Sequence, residues 1–334
     1  MNDKKEFVRT VLGDIDPKEM GVVDCHDHLI KNGGPEVEEH IDFLMIDINA
    51  AKKELQNYLD AGGKTMVTMD PPNVGRDVNR MLEIANDFKG KAHLIMSTGF
   101  HKAKFYDKHC SWLKTVEEDK IVAMMVAEIE EGMDKHSYNG PVVERVSAKA
   151  GIIKVGTGYA SIDPLEQKSL RIAAKTNLAT GVPILIHTQL GTMGLEVVDI
   201  LLKLGVSPKK IILSHLNKNP DKYYYEKICE KGVFIAFDGP DRVKYYPDST
   251  LAENMKYLID KGYQKQLLLA MDAGRFYYQT AYSETKGHIS FGIAYMLTHF
   301  VPLLKQIGVS QDAIDDILIN NPQVALAFDN SKRG

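Results

Sequence analysis

The stretch that decides the fold is Gly21-Val22-Val23-Asp24-Cys25-His26-Asp27-His28-Leu29, a short apolar run that ends in two histidines one residue apart. Side chains alternate between the two faces of a strand, so His26 and His28 share one face. Neutral imidazole nitrogens are good ligands for zinc-like divalent ions. The run predicts a strand at residues 22–28 that ends in part of a metal site. A single His-x-His pair can also be incidental, so the argument depends on what recurs downstream.

Apolar, β-branched runs alternate along the chain with longer amphipathic segments. The predicted strands are residues 22–28, 65–69, 93–98, 151–155, 183–187, 211–215, 233–237 and 267–272. Segments with apolar residues at spacings of three and four predict helices at residues 48–60, 78–88, 116–132, 164–180, 194–204, 220–231 and 251–261. Glycines such as Gly181 and Gly205 follow these segments, as is typical of helix ends. Residues 31–43 are predicted to be a long loop, and residues 310–326 a terminal helix.

Strands that alternate with helices predict an α/β fold with a parallel sheet, and eight such units match the closure of a (β/α)8 TIM barrel. We expect residues 1–334 to form one barrel domain, with a short N-terminal extension and a C-terminal helix. The alternative is an open, doubly wound sheet. No Gly-x-Gly-x-x-Gly motif follows the first strand, which favours the barrel.

The composition excludes several classes of protein. Among 334 residues, 44% are hydrophobic and 26% charged, which is ordinary for a globular protein, and the net charge of -4 predicts no general attraction to nucleic acid. The three cysteines, Cys25, Cys110 and Cys229, are widely spaced, so we expect no disulfide framework and a cytoplasmic location. We find neither a signal peptide nor an apolar run of about 18 residues, so no membrane partner is expected.

Further metal-compatible side chains stand at the ends of later strands. Lys154, His187, His215 and Asp272 lie in or at the end of the fourth, fifth, sixth and eighth predicted strands. The C-terminal ends of all barrel strands meet at one rim, where the active sites of this fold are found. Any one of these histidines could be a structural core residue, but their joint placement predicts a metal site at the barrel mouth.

The order His-x-His, Lys, His, His, Asp resembles the amidohydrolase superfamily, and within it the phosphotriesterase-like branch. The resemblance extends along essentially the whole chain, through Thr10-Val11-Leu12-Gly13-Asp14-Ile15, Gly75-Arg76-Asp77, Ser97-Thr98-Gly99-Phe100 and Asn321-Pro322. The branch usually has Glu between the first two histidines, where this chain has Asp27. That position is not a metal ligand in the family, so the difference should matter little.

The resemblance implies two divalent ions, Zn²⁺ first, with Mn²⁺ or Co²⁺ as alternatives. It assigns His26, His28 and Asp272 to the buried ion, His187 and His215 to the more exposed ion, and Lys154 to both as a bridging carbamate. An unmodified lysine is a poor ligand because its pKa of about 10.4 keeps it protonated. The alternative for Lys154 is an ammonium paired with Asp272. In the implied mechanism a metal-bridging hydroxide attacks the substrate and Asp272 is the catalytic proton acceptor.

The loops after the seventh and eighth strands carry the candidate substrate contacts, because barrels commonly bind phosphate there. Arg275 follows Asp272 by three residues and must lie near the site. The candidate anion-binding residues are Lys244, Tyr245, Arg275, Tyr278 and Lys218. The alternative is that these cations are solvated or pair with Asp238, Asp241 and Asp248.

Such a basic cluster suits a small anionic substrate better than an organophosphate triester or an acyl-homoserine lactone, which both require apolar pockets. The chain is most similar to the phosphorylated-sugar lactonases of the branch, which implies hydrolysis of a pentono-1,4-lactone 5-phosphate. The rival hypotheses are a phosphotriesterase or phosphodiesterase with the same metals, and a sugar-phosphate-binding protein without turnover. The family often forms homodimers, so a homodimer is expected.

Overall fold

A parallel β-barrel forms the centre of the protein, for which a computed structural model describes residues 6–106, 111–329 and 331. The strands are β1 (Val8–Thr10), β2 (Gly13–Ile15), β3 (Val23–Asp27), β4 (Thr65–Thr68), β5 (His93–Gly99), β6 (Ile152–Thr157), β7 (Ile184–Thr188), β8 (Ile211–Ser214), β9 (Phe234–Asp238) and β10 (Leu267–Ala270). The last eight form one parallel sheet in sequence order. The backbone N–H of Asp272 donates to the carbonyl of His26 at 2.9 Å, so β10 returns to β3. The predicted TIM barrel is confirmed.

Helices follow the strands and cover the outside of the barrel. They are α1 (Pro35–Glu39), α2 (Ile48–Asp60), α3 (Val78–Asp87), α4 (Ser111–Thr115), α5 (Glu118–Glu130), α6 (Pro164–Thr180), α7 (Gly194–Lys203), α8 (Lys222–Cys229), α9 (Asp248–Asp260), α10 (Thr280–Thr285), α11 (Val301–Gln306), α12 (Gln311–Asp315) and α13 (Asn321–Ala325). The predicted bounds of α2 and α6 are exact. In α6, Asp163 caps the first turn and Gly181 ends the helix in the left-handed conformation.

Three parts of the chain differ from the sequence-based expectation. Residues 31–43 contain α1 and a 3-10 turn, Ile41–Phe43, and are therefore not an unstructured loop. The terminal helix is present, but a π-helical segment, Asp316–Asn320, joins α12 to α13. The hairpin of β1 and β2 was not predicted, because strands of three residues are too short to show a periodic pattern.

Two apolar layers hold the barrel together. One lies between the strands and the helices. The other fills the barrel interior with at least one residue from each of the eight barrel strands, including Ile95, Ile152, Leu185, Ile212 and Leu268. In a parallel barrel such inward layers form a packed core rather than a pore. The next inward residues toward the C-terminal ends therefore stand on an apolar floor.

Cys25 and Cys229 are buried free thiols, and Cys110 lies outside the described residues. Within the described part of the chain, no helix combines the length and apolarity required to cross a bilayer.

Candidate active site

The strand register places Lys154 and His187 at the barrel mouth. Ile152 and Leu185 belong to the inward layer, and residues two further along a strand point to the same side. Lys154 and His187 are those residues, on β6 and β7. Lys154 is 1% exposed, so a long cationic side chain is enclosed by the barrel wall.

A β-bulge in β3 directs both N-terminal histidines inward. Asp24 pairs with Met66 and Asp27 with Thr68, so three residues of β3 span the length of two in β4. Asp24 and Asp27 consequently share the outer side, where their carboxylates accept backbone N–H groups of His26, His28, Met271 and Ala273. Bulges commonly redirect side chains beside active sites. Sequence alternation alone predicts the shared face of the histidines but not this extra residue.

His215 and Asp272 stand immediately beyond their strands in an uncommon backbone conformation. Their φ angles are 68° and 53°, in the left-handed region that non-glycine residues rarely adopt. Such strain is concentrated at functional sites, where surrounding hydrogen bonds hold the residue in place. Asp238 supplies one of these bonds by accepting the backbone N–H of His215 at 2.6 Å.

The six predicted ligands converge on one cleft. The carboxylate Oδ1 of Asp272 lies 3.7 Å from Nε2 of His26 and 3.6 Å from Nε2 of His28. Two atoms bound at about 2.1 Å to one tetrahedral ion lie about 3.4 Å apart, so these three residues can hold a metal ion. Lys154 Nζ lies 3.2 Å from His26 Nε2, and the His187 and His215 rings are 4.4 Å apart.

Buried partners orient three of the histidines. Nδ1 of His26 lies 2.7 Å from Ser214 Oγ, Nδ1 of His28 lies 2.8 Å from Asp70 Oδ2, and Nδ1 of His215 lies 2.9 Å from Asp238 Oδ1. Metal-binding histidines typically engage their second ring nitrogen in this way. Each imidazole therefore has Nε2 available, and the donor set fits divalent metal ions.

The electrostatics of the cluster also fit a cation. Burial lowers the pKa of His26 and His187 well below the ordinary value, which keeps both imidazoles neutral. Burial lowers the pKa of Lys154 to about 8. Burial raises the pKa of Asp272, but the charges of His215 and Lys218 outweigh it and hold the pKa well below its usual range.

His28 is the exception among the histidines. Burial lowers its pKa, but the facing carboxylates of Asp70 and Asp272 together outweigh this effect and raise the pKa to about 9. A metal ion at His28 must displace that proton, so acid should weaken metal binding there. The alternative pairing of Lys154 with Asp272 is not observed: among the described residues, no carboxylate lies within 4.0 Å of Lys154 Nζ.

The predicted anion-binding residues all line the same cleft, which encloses about 830 Å³ including its open mouth. We call Lys218, Lys244, Tyr245, Arg275 and Tyr278 the cationic wall. Lys244 is exposed, with Nζ 5.2 Å from the Tyr245 ring centre and 5.9 Å from that of Tyr278. Lys218 lies deeper, 3.4 Å from Asp272 and 3.5 Å from Asp238.

Arg275 has a partner that the sequence did not suggest. Its guanidinium pairs with Asp42, from the 3-10 turn after α1, and stacks 3.9 Å from the Phe43 ring centre. Arg275 therefore pairs with none of Asp238, Asp241 and Asp248, whereas Lys218 does pair with Asp238, as the alternative expected. Asp42 holds Arg275 across the rim of the cleft rather than leaving it free.

Several cleft residues were missed by sequence reasoning. Arg242 is 6% exposed, stacks 3.4 Å from the Tyr278 ring centre and donates to the carbonyl of Asp272. His101 is buried with its ring 4.5 Å from that of His187. The other missed residues are Lys31, Glu36, Lys102 and Gln189. His101 and Lys102 directly follow β5, and this position at the end of a strand could have identified them as cleft residues.

Comparison with known proteins agrees with this geometry. A model of the phosphotriesterase family matches residues 6–326. A phospho-furanose lactonase from Mycoplasmopsis agalactiae is 68% identical over 330 residues, covering 98% of this chain and 94% of that relative. The crystal structure of an amidohydrolase from Mycoplasma synoviae matches with a TM-score of 0.96 and 64% identity, over 98% of this chain and 93% of that one.

The crystal structure of a lactonase from Listeria monocytogenes is more distant, with 28% identity and a TM-score of 0.87, over 97% of this chain and 99% of that one. The family model covers nearly the whole barrel, and the chain therefore belongs to the phosphotriesterase family.

Proposed function

We propose that this protein is a metal-dependent lactonase that hydrolyses a pentono-1,4-lactone carrying a 5-phosphate. The observation that carries the proposal is that a cluster of metal-compatible histidines and the cationic wall line one cleft. The relative from Mycoplasmopsis agalactiae, named a phospho-furanose lactonase, supports the same substrate class. The charged residues that line the cleft do not form the apolar pocket that an acyl tail or a triester would require.

The donor set assigns the metal ligands in this proposal. His26, His28 and Asp272 would hold one ion, and His187 and His215 the other. Lys154 would bridge them as a carbamate, because a neutral amine at this buried position can react with carbon dioxide, release one proton and gain a carboxylate whose single negative charge is shared by two oxygens. The ions, Zn²⁺ or alternatively Mn²⁺ or Co²⁺, supply Lewis-acid activation of water and of the ester carbonyl when bound.

Asp272 moves the proton during hydrolysis. Its low pKa leaves it ionised before the reaction begins, and its Oδ2 atom lies 3.4 Å from Lys218 Nζ. It accepts a proton from the attacking water as the water oxygen forms a bond to the lactone carbonyl carbon. The bond from that carbon to the ring oxygen then breaks, and Asp272 returns the proton to the departing ring oxygen. The product is a hydroxy acid whose new carboxylic acid group releases a proton to solvent and becomes a carboxylate.

The cationic wall orients the substrate by its phosphate. Lys244 supplies an uncommitted charge, Arg275 supplies a planar fork of donors already held by Asp42, and Tyr278 supplies a hydroxyl. Charge-assisted bonds to phosphate are stronger than neutral ones. A phosphate anchored here directs the lactone ring toward the histidine cluster, which raises the rate by positioning.

The test is a pH-indicator assay of metal-loaded enzyme on pentono-1,4-lactone 5-phosphates beside their non-phosphorylated parents. Rapid acid release from the phosphorylated compounds alone supports both the metal chemistry and the cationic wall. A protein that holds two metal ions but releases acid from no lactone contradicts the proposal, and phosphate esters then become the substrates to assay.

The remaining features of the proposal concern assembly and location. We propose a cytoplasmic homodimer, as in the sequence-based expectation, without a nucleic-acid or membrane partner. The buried free thiols of Cys25 and Cys229 support a reducing compartment. Light scattering on the purified protein tests the dimer, and a monomeric mass at working concentration contradicts it.

A further inference from the structure

The wall of the cleft around the end of β5 has a different character from the cationic wall. We call Glu36, His101, Lys102 and Gln189 the polar wall; all four line the cleft. The cationic wall comes from the loops after β8, β9 and β10, whereas His101 and Lys102 follow β5. In a closed barrel of eight strands in sequential order, β5 and β9 lie opposite each other. His101 and Lys102 therefore face the cationic wall across the histidine cluster, and Glu36 and Gln189 lie beside them, 3.9 Å from His101 and 2.7 Å from Lys102.

The polar wall presents both a spare acceptor and spare donors. Glu36 Oε2 accepts from Lys31, whereas Glu36 Oε1 lies 3.9 Å from His101 Nε2, beyond hydrogen-bond distance. Lys102 Nζ donates to Gln189 Oε1 at 2.7 Å, and an ammonium has further donors. Among the described residues, Gln189 Nε2 has no hydrogen-bond partner.

These groups are held in place rather than solvated. The side chain of Glu36 is 12% exposed and that of Lys31 is 2% exposed, and Lys31 also pairs with Asp70 at 3.1 Å. Lys102 stacks 5.1 Å from the Phe105 ring centre. A positioned carboxylate beside positioned N–H donors matches a hydroxyl group, which both donates and accepts hydrogen bonds. It does not match a phosphate, which Glu36 would repel.

We propose that the polar wall recognises the ring hydroxyl groups of the lactone, and above all the hydroxyl on C2. This inference rests on the proposed lactonase function. The phosphate is attached through C5 to C4, beside the ring oxygen, whereas C2 lies on the other side of the carbonyl carbon. A substrate with its phosphate on the cationic wall and its carbonyl at the histidine cluster thus turns C2 toward Glu36 and Lys102. The polar wall would determine which sugar lactones are accepted.

The test compares kcat/KM for a pentono-1,4-lactone 5-phosphate with that for its 2-deoxy analogue. The wild-type protein should favour the hydroxylated substrate by about 10- to 100-fold, which is the loss expected when one hydrogen bond to a charged group is removed. In Lys102→Met that preference should fall to within about threefold of unity, because the variant keeps the length of the side chain but loses its donors. Glu36→Gln is a second variant, which removes the anionic acceptor and should lower the preference in the same direction.

The matched control is Lys104→Met. Lys104 lies two residues further along the same turn, is exposed, and pairs with Glu39 outside the cleft. It should retain the wild-type preference, and metal content should be equal in all variants. Hydroxyl recognition by the polar wall is overturned if the wild-type protein shows a preference near unity. It is also overturned if Lys102→Met and Glu36→Gln lose activity equally on both substrates. Neither result affects the proposed lactonase function. If the wild-type protein hydrolyses neither of the two lactones, the proposed function is overturned, and the inference with it.

Discussion

Replacement of Lys244 by methionine should selectively remove recognition of the phosphate. Lys244 is exposed, and among the described residues no carboxylate lies within 4.0 Å of its Nζ, so its charge is available to a ligand. Arg275, in contrast, is already paired with Asp42. Lys244→Met keeps an unbranched aliphatic side chain while removing the ammonium beside Tyr245 and Tyr278.

The expected loss follows from the strength of one charge-assisted hydrogen bond. Such a bond contributes about 1.5 to 3 kcal/mol, which corresponds to a decrease in kcat/KM of about 10- to 150-fold. The loss should be confined to the phosphorylated lactone, because the non-phosphorylated parent makes no bond to Lys244. Hydrolysis of the two substrates is measured side by side with the pH indicator, and metal content is measured on the same samples.

Lys286→Met is the matched control for this experiment. Lys286 is also an exposed lysine beside an aromatic ring, with Nζ 5.3 Å from the Phe276 ring centre, but it does not line the cleft. It should leave both substrates unaffected. An equal loss on both substrates in Lys244→Met would refute the reasoning, because it would show that Lys244 supports the fold or the reaction rather than the phosphate.

Three further results are expected. Incubation with ¹³C-labelled bicarbonate should give a carbamate resonance in the metal-loaded wild-type protein and none in Lys154→Met, which should also bind less metal. Asp70→Asn should weaken metal affinity by about 10- to 100-fold in chelator competition, because the carboxylate orients His28. Asp316→Asn should lower the free energy of unfolding by about 1 to 2 kcal/mol near neutral pH, because Asp316 accepts hydrogen bonds from Lys265 and Asn320.

The effect of Asp316→Asn on the free energy of unfolding should depend on pH and should become smaller in acid. Burial raises the pKa of Asp316, but the hydrogen bonds from Lys265, Asn320 and Gln264 together outweigh it, so the folded-state pKa lies below the ordinary value of 3.8. The stabilisation is present above that ordinary value and is lost as pH falls through the folded-state pKa. The difference between wild type and Asp316→Asn in thermal unfolding should therefore shrink as the pH falls below the ordinary pKa and through the folded-state pKa of Asp316. A difference that persists in acid would indicate a packing effect instead.

Two of these experiments have their own controls. Asp87→Asn, which alters an exposed pair with Lys52, should leave metal affinity unchanged if the effect of Asp70 acts through His28. A carbamate signal that survives in Lys154→Met would assign the modification to another lysine. Unchanged metal binding in Asp70→Asn would show that the bulged strand orients His28 without help from the carboxylate.

The barrel could be predicted because the sequence patterns that indicate its strands and helices are local and are repeated along the chain. Each strand is a short β-branched run followed by an amphipathic segment, and the bounds of α2 and α6 follow from apolar spacing and caps. The hairpin of β1 and β2 could not be predicted in the same way. Its strands are too short for a pattern, and Val8 is buried against the inner core by contacts with residues distant in sequence.

The ligand cluster followed from the same local signals, since side chains at the ends of parallel strands must meet at one rim. The residues that orient these side chains could not be predicted from local sequence patterns. Asp70 reaches His28 from the neighbouring strand end, and Ser214 reaches His26 from across the barrel. Nothing in the spacing of these residues distinguishes them from other buried polar residues.

The sequence by itself determined the fold class and which residue types stand at the barrel mouth. The reason is that the pattern of each strand and the order of the strands can both be read from consecutive residues. Only the tertiary structure decided how those residues are divided into functions. The pairing of Arg275 with Asp42, the burial of His101, and the separation of Glu36 from Lys244 arise from loops of different strands. Contacts between such loops depend on the closed barrel that brings them together, and no local pattern encodes them.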